Sequence, residues 1–423
     1  MMKALNDNAH PLESLLQQHC PNGVEFKPLY ELTFWDKKFA AVDKAWQPKT
    51  LKFTHILAKD LQNLIVPNGD IKLLSTGKFD DYTDTKTAQN LINEGEVLAI
   101  PSGGEANLKY YKGKFVDSGN ILATARDSTN SLKFIYYYLL TRQKDLDSSF
   151  RGGSIKHPEM KKILQIPIPL PPLEIQQKIV EILDAFTELQ AELQAELEAE
   201  LEARLKQYHY YRNKLLSFEE LEKRANAIGG GLKLVSLGEL GKISMCKRIL
   251  KNQTKSSGDI PFYKIGTFGG VADSFIDSSI FNEFKEKFSY PQKGDILISA
   301  SGTIGKAVIY QGENAYYQDS NIVWLKHDGT KLNNKFLFYC YQNTQWDKYV
   351  SKGGTITRLY NDNLRKVKIP LPPLEVQNDI VELLDKFDTL TNDLTSGIPA
   401  EIEARKKQYE YYRERLLSFI AKD

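Results

Sequence analysis

Cysteine is scarce in this 423-residue chain, and what there is stands alone. Cys20, Cys246 and Cys340 form no Cys-x-x-Cys pair, which argues against a disulfide framework or a structural zinc and for a reducing compartment. Histidine is equally sparse. His10, His19, His55, His157, His209 and His327 are scattered and compose no His-Glu-x-x-His site, so each reads as a surface or framework residue. No Gly-x-x-x-x-Gly-Lys-Ser/Thr loop is present, and Gly302 and Gly305 do not complete a Gly-x-Gly-x-x-Gly. Ser299-Ala300-Ser301-Gly302-Thr303 lacks the Gly-x-Ser-x-Gly pattern and has no histidine placed to activate it. Aspartate and glutamate are plentiful, but no spacing isolates a catalytic pair. The expectation is a chain without an active site, metal site or cofactor of its own. No apolar run has membrane-spanning length, and Met1 to Gln18 is polar without an apolar signal core, so a cytoplasmic protein with no membrane contact is expected. Nor is there an excess of one charge: the net formal charge is +2, which leaves a polyanion partner to be decided by local patches.

What the chain has is a long internal repeat. Ile166-Pro167-Ile168-Pro169-Leu170-Pro171-Pro172-Leu173-Glu174 opens a helical pattern that runs to Phe218. Ile369-Pro370-Leu371-Pro372-Pro373-Leu374-Glu375 opens a second that runs to Phe419. Ile168 to Ile369 and Phe218 to Phe419 give the same offset of 201, and Asp184/Asp385, Phe186/Phe387, Tyr208/Tyr409 and Tyr211/Tyr412 keep it. A repeat without a register change is a duplication. Proline suits the first turn of a helix and not its middle, so each Pro-Pro ends an extended segment and starts a rod. Along the first rod Ile179, Ile182, Phe186, Leu189 and Leu193 step by three and four, the spacing of a coiled-coil seam. Leu193, Leu197, Leu201 and Leu205 are then four apart, within an Ala-Glu-Leu-Gln/Glu run, before Tyr208, Tyr211, Leu215 and Phe218 resume the alternation. Repeated steps of four locally unwind a coiled coil, so a nearly straight rod is expected. In the second copy Thr395-Ser396-Gly397-Ile398-Pro399 replaces the run and reads as a helix end and restart.

The segments before each rod also form a pair, more diverged. Gly95-Glu96-Val97-Leu98-Ala99-Ile100 resembles Gly294-Asp295-Ile296-Leu297-Ile298-Ser299, and Lys133 to Tyr138 resembles Lys335 to Cys340. Each reads as short strands, including Glu96 to Ile100 and Asp295 to Ser299, with a helix near 132–142 and 333–343. The tyrosines 136–138 and 339–341 fall inside the helical pattern and read as core. The expected fold class is α+β: two mixed α/β domains separated by two long helices that form an antiparallel coiled coil, with a pseudo-twofold internal repeat. The boundaries are a lead-in at 1–22, helical from Leu12, a first mixed domain at 23–165 and a central helix at 166–221. A Gly-rich linker at 222–231, a second mixed domain at 232–367 and a C-terminal helix at 368–423 follow.

Two variable domains alternating with rods that begin Ile-Pro-x-Pro-Pro-Leu-Glu and end Tyr-x-Tyr-Tyr-Arg…Leu-Leu-Ser-Phe resemble the specificity subunits of type I restriction–modification enzymes. The tetrapeptide run is similar to the Thr-Ala-Glu-Leu-type repeats of the IC subclass, here without the threonine. The resemblance spans essentially the whole chain. It implies two target-recognition domains, each reading half of a split, asymmetric site in double-stranded DNA, on rods that dock two modification subunits. Those partners would hold S-adenosylmethionine and methylate adenine; motor–nuclease restriction subunits, with ATP and Mg, would join for cleavage.

Glycine lets a backbone approach a phosphate, while hydroxyls, amides and cations supply the contacts. The paired loops Arg151-Gly152-Gly153-Ser154-Ile155-Lys156 and Lys352-Gly353-Gly354-Thr355-Ile356-Thr357-Arg358 are therefore the leading DNA-binding candidates, with a turn leading into the rod as the alternative. Ser102, Lys109, Arg126, Ser301, Thr303 and Lys306 are further candidates. The stretches Tyr208 to Arg212 and Tyr409 to Arg413 belong either to the seam or to a partner surface. A non-catalytic coiled-coil scaffold that binds proteins is the competing function, and a stand-alone enzyme a third.

Overall fold

The computed structural model describes residues 18–351, 357–392 and 397–419. The expected lead-in helix therefore lies outside the described residues but for its last position. The chain divides into two compact units, Met1–Ala195 with Glu403–Asp423, and Glu196–Ile402. Each unit holds one mixed domain, the first part of one helical stretch and the last part of the other.

In the first unit, strand β1 (Phe26–Pro28) pairs antiparallel with the Ile-Pro-x-Pro segment, and a six-stranded sheet follows. Its strands are β2 (Thr33–Trp35), β3 (Ile71–Leu74), β4 (Asp80–Thr83), β5 (Asn93–Pro101), β6 (Lys109–Asp117) and β7 (Asn120–Ala125), in the order β2-β7-β5-β6-β3-β4. Helix α1 (Leu132–Thr141) is capped by Ser131, whose hydroxyl accepts from Phe134 N–H. Strands β8 (Phe150–Arg151), β9 (His157–Pro158) and β10 (Pro167–Pro169) complete the domain. Prolines have no N–H to give, so the β1–β10 ladder is closed from outside them: Leu29 N–H donates to Ile166 O (3.0 Å) and Leu170 N–H to Glu25 O (2.8 Å).

The central strand explains the strongest similarity between the two mixed domains. Val97, Leu98, Ala99 and Ile100 are all buried. Leu98 and Ile100 pack with α1, and Val97 and Ala99 with Phe115 and Leu122 on the other face. A strand covered on both faces carries a continuous apolar run instead of an alternating one.

Helix α2 (Leu173–Leu215) is one uninterrupted helix of 43 residues. Pro172 O accepts from Ile175 and Gln176 N–H to start it, and Glu174 lies in the first turn, where the helix dipole favours an acid. Glu–Lys and Glu–Arg pairs four residues apart line its exposed side, Glu174–Lys178 and Glu202–Lys206 among them. Its buried apolar positions in the first unit are Ile175, Ile179 and Leu183, one residue every four, whereas Leu189, expected in the seam, is 60% exposed. The reason is what the helix packs on: here its apolar stripe lies on the mixed domain, so the three-four alternation of a two-helix seam does not apply. Phe186 does meet the other rod, stacking on Tyr412 at 6.0 Å between ring centres. Later residues of one helix meet earlier residues of the other, as Thr187 Oγ1 and Tyr409 OH do at 2.8 Å, so the two run antiparallel.

Helix α3 (Phe218–Ala227) restarts behind Ser217, which caps it, so the helical structure continues through most of the expected linker and Phe218 stays half-exposed. The second unit then repeats the plan. Its strands are β11 (Lys233–Ser236), β12 (Lys242–Met245), β13 (Ile260–Tyr263), β14 (Phe275–Ile276), β15 (Ile296–Ser299), β16 (Ala307–Ile309), β17 (Tyr316–Tyr317), β18 (Ile322–Lys326) and β19 (Lys368–Leu371). β11 pairs with β19 as β1 does with β10. The sheet β12-β18-β15-β16 has the order of β2-β7-β5-β6, again with a central strand buried on both faces. Beyond those four strands the domains part company: the first unit extends its sheet with β3 and β4, while the second builds a separate sheet, β14-β13-β17. Helix α4 (Asn334–Asn343) corresponds to α1. The C-terminal rod holds two helices, α5 (Leu374–Asn392) and α6 (Ile398–Leu416); α6 starts directly after Gly397, where a restart is expected, while Thr395 and Ser396 lie outside the described residues.

The rods make equivalent contacts in the two units. Ile175, Ile179 and Leu183 join the first core together with Leu417; Val376, Ile380 and Leu384, each 201 residues on, join the second with Leu216. Phe186–Tyr412 in one unit corresponds to Phe387–Tyr211 in the other, stacked at 5.4 Å. Among the described residues no helix is long and apolar enough to cross a membrane.

Candidate nucleic-acid interface

Strand β5 ends at Pro101, and Ser102-Gly103-Gly104 turns off its end. The β8–β9 hairpin lies against this turn: Gly104 N–H donates to Lys156 O (2.8 Å), and Ser102 O meets His157 Nδ1 (2.7 Å). The structure thus brings Ser102 to the glycine loop. Gly152 has φ +150°, and a Cβ there would fall 2.2 Å from Ile155 O, so only glycine closes this hairpin. Arg151 pairs with Glu159 at 2.8 Å, while Ser154 and Lys156 are exposed. Lys156 and Lys78 line a cleft of about 540 Å³ beside Gly104. Gly152→Ala is expected to cost roughly 1–3 kcal/mol of local backbone strain. Amide hydrogen exchange over 150–158 should accelerate while β5 stays protected; unchanged protection of the hairpin would refute the strain.

The second unit holds the matching arrangement. Ser351 N–H donates to Arg358 O (3.1 Å), Leu359 N–H to Ala300 O (2.9 Å), and Ser301 bridges to Arg358. Lys352, Gly353, Gly354 and Thr355 lie outside the described residues. Ser301 is buried and donates to Asn321 Oδ1 (2.9 Å). Thr357 and Arg358 are exposed, and Arg358 lines a cleft of about 790 Å³ with Arg248, Lys251, Lys255, Lys264, Gln318 and Asn321. Arg248 is paired with Asp319, Lys255 with Asp277 and Lys264 with Asp273. Among the described residues Lys251 and Arg358 make no ion pair.

Other candidates are placed elsewhere. Lys109 donates to Ser75 O (2.8 Å) and Ser75 Oγ (3.1 Å), and burial with the nearby Lys72 charge pushes its ammonium down to about 8. Arg126 donates to Thr33 O and Trp46 O and lies over the Phe34 ring at 4.9 Å. Both are committed to framework contacts. Thr303 is exposed and Lys306 donates to Phe268 O (2.5 Å), and neither lines Arg358's cleft. Gly305, φ +86°, lets this loop pass against Trp346.

Sequence reasoning missed the basic loops. After β2 come Lys37, Lys38, Lys44, Lys49 and Lys52; after the equivalent β12 come Lys247, Arg248, Lys251 and Lys255. Each run was visible as cations directly following a shared landmark, but the loops differ between copies and similarity does not reveal them. In the aromatic stretches Tyr208 is core, Tyr211 and Tyr412 stack between helices, and Tyr210 and Tyr411 are each 59% exposed. No His, Cys, Asp and Glu group that could hold a metal occurs among the described residues.

The family model for the type I restriction modification DNA specificity domain matches the chain twice, over residues 54–203 and 230–404. A protein of Haemophilus influenzae named as a type I restriction enzyme specificity subunit is 46% identical over 400 residues, covering 92% of this chain and 98% of its own. The EcoR124I/EcoR124II specificity subunit of Escherichia coli is 34% identical over 425 residues, again covering 92% and 98%. A chain in a solved structure of the type I R-M system, concerned with complex assembly and conformational transition, shares the fold with a TM-score of 0.57 at 17% identity over 94% of this chain and 98% of that one. With both halves of its length matched and relatives alike over 92% of it, this chain belongs to the family of type I restriction–modification specificity subunits, which give such systems their DNA sequence recognition.

Proposed function

We propose that the mixed domains, 23–165 and 232–367, each read one half of a bipartite, asymmetric site in double-stranded DNA. The helical segments, 166–221 and 368–423, hold the readers apart and dock two modification subunits. Tyr210 and Tyr411, equally exposed 201 residues apart, suit two copies of one partner. S-adenosylmethionine is bound and adenine methylated on those partners; ATP and Mg serve motor–nuclease subunits that join for restriction. This chain recognises and assembles.

The observation that carries the reading is the cleft of the second unit. There the hairpin residue Arg358 and the cations Arg248, Lys251, Lys255 and Lys264 line one cleft with the amides of Gln318 and Asn321, and its two carboxylates, Asp273 and Asp319, are held by Lys264 and Arg248. Cations grip phosphates, and side-chain amides are suited to base edges. In the first unit Lys156, with Ser154, Arg151, Gly152 and Gly153, takes the corresponding place. Replacing Lys251, Lys255 and Arg358 together by alanine in the assembled methyltransferase should weaken binding to cognate and unrelated duplexes alike. Each phosphate contact removed lowers the slope of log K against log salt by ~0.9. An unchanged slope would sink the assignment. Methylation-sensitive sequencing of a host carrying this chain and its modification subunit tests the function itself: a two-part motif methylated in both halves, lost on deleting the chain, is expected. Chain-independent methylation would favour the protein-binding scaffold.

A further inference from the structure

The two mixed domains differ in sequence and in the strands beyond their four shared ones, yet each is bolted to its rod by the same side chains. In the first unit Asp184 on α2 accepts from Lys133 Nζ (2.7 Å) and Tyr137 OH (2.6 Å), both on α1. In the second, Asp385 on α5 accepts from Lys335 Nζ (2.5 Å) and Tyr339 OH (2.7 Å), both on α4. Lys133 and Tyr137, like Lys335 and Tyr339, are four apart and so face the same way. In each case one carboxylate oxygen takes the ammonium and the other the phenol. Burial and the carboxylate together push both tyrosine hydroxyls upward, holding them protonated as donors. A charge-assisted clamp with two fixed donors restrains rotation of one helix on the other more than an apolar contact does.

Resting on the proposed reading of DNA by the two domains, we propose that Asp184 and Asp385 are positioning residues that set the bearing of each recognition domain on its rod, and through it the spacer length the subunit accepts. The aspartates touch no DNA in this assignment. They act by allowing each reader only one approach to its half-site. The apolar cores around Ile179 and Ile380 keep the domains attached without them.

The test uses the full chain with its modification subunit in the host, carrying Asp184→Asn, Asp385→Asn or both, and maps methylation genome-wide. The ratio of methylation at the native spacer to that at spacers one base pair longer or shorter should fall roughly tenfold for each single variant, the worth of one charge-assisted hydrogen bond. The two should act equally, since the clamps are equivalent. Tyr137→Phe and Tyr339→Phe, which remove one donor and keep the ring, should relax the spacer by less. The swap Lys133→Asp with Asp184→Lys should restore part of the discrimination, since it returns the ion pair but leaves the Tyr137 hydroxyl without its carboxylate acceptor. A loss of methylation in proportion at all spacers would mark a merely structural role and overturn the proposal, as would unchanged discrimination. Absence of chain-dependent methylation in the unaltered protein would instead overturn the reading of DNA on which it rests, and this proposal with it.

Discussion

Deleting one Ala-Glu-Leu-Glu unit, Ala195 to Glu198, from the central helix is expected to abolish methylation at the native site and create it at a site with a shorter spacer. Helix α2 runs without a break from Leu173 to Leu215, so a change in its middle is carried along its axis. Four residues are ~6 Å of helix. Against ~3.4 Å per base pair, that is one or two base pairs. The unit also suits the helix in rotation: four residues turn it by only ~40° beyond a full turn. Leu193, Leu201 and Leu205 would therefore stay near one stripe, as the step of four in the run already requires. Two residues would turn it by roughly 200°, carrying the stripe to the opposite side. A two-residue deletion should thus lose methylation at every spacer, while the four-residue deletion moves it. Sequencing of methylated sites in both variants decides between them, and an unchanged spacer after the four-residue deletion would refute a measuring role for the rod.

That prediction was available from residue spacing because the features behind it are local. A proline pair suits the start of a helix and a Gly-Ile-Pro interrupts one, so the single central helix and the restart of the C-terminal one are legible in the sequence. The central strands were legible as well, since burial on both faces leaves an unbroken apolar run. Pairings between distant segments were not. Nothing in the two-residue strand Phe275–Ile276 marks it as part of a separate sheet, while β3 and β4 extend the main one. Leu189 fits a seam by spacing but is left exposed, because its neighbours Ile175, Ile179 and Leu183 turn to the mixed domain instead. At the candidate site, Gly152 and Arg358 could be singled out through the paired glycine loops; that the Gly152 backbone tolerates no side chain is seen only in the structure. Lys251 and Lys255 lie in a loop whose counterpart after β2 differs from it, so similarity between the copies does not mark them. Asp184 and Asp385 stood out as repeated landmarks, but only the structure supplies their lysine and tyrosine partners.

The largest stability effect is expected at two glutamines that no charge or motif singles out. Gln377 is 0% exposed and makes three hydrogen bonds: its Oε1 accepts from Asn333 N–H (2.8 Å), and its Nε2 donates to Pro372 O (2.8 Å) and Lys331 O (2.9 Å). Gln176, 1% exposed, does the same with Ser131 N–H, Pro171 O and Asn130 Oδ1. Ser131 and Asn333 cap α1 and α4, so each glutamine ties the start of a rod to the start of the domain helix that lies on it. Leucine has about the same volume and would fill the space, but it would strand the partners. Each buried group left unpaired costs roughly 1–3 kcal/mol. Gln377→Leu, which strands an N–H and two carbonyls, should therefore lose about 3 kcal/mol or more, or roughly 6–12 °C in Tm for a unit of this size. Gln176→Leu should lose less, because the Asn130 side chain can turn to water. The two sites share no partner, so their effects should add in the double variant. Scanning calorimetry reads this directly. If the units unfold as separate transitions, each substitution should lower only its own. A fall of under 2 °C for Gln377→Leu would mean that the Pro372 and Lys331 carbonyls and the Asn333 N–H find other partners, and that the apolar contacts of Val376, Ile380 and Leu384 alone fasten the rod.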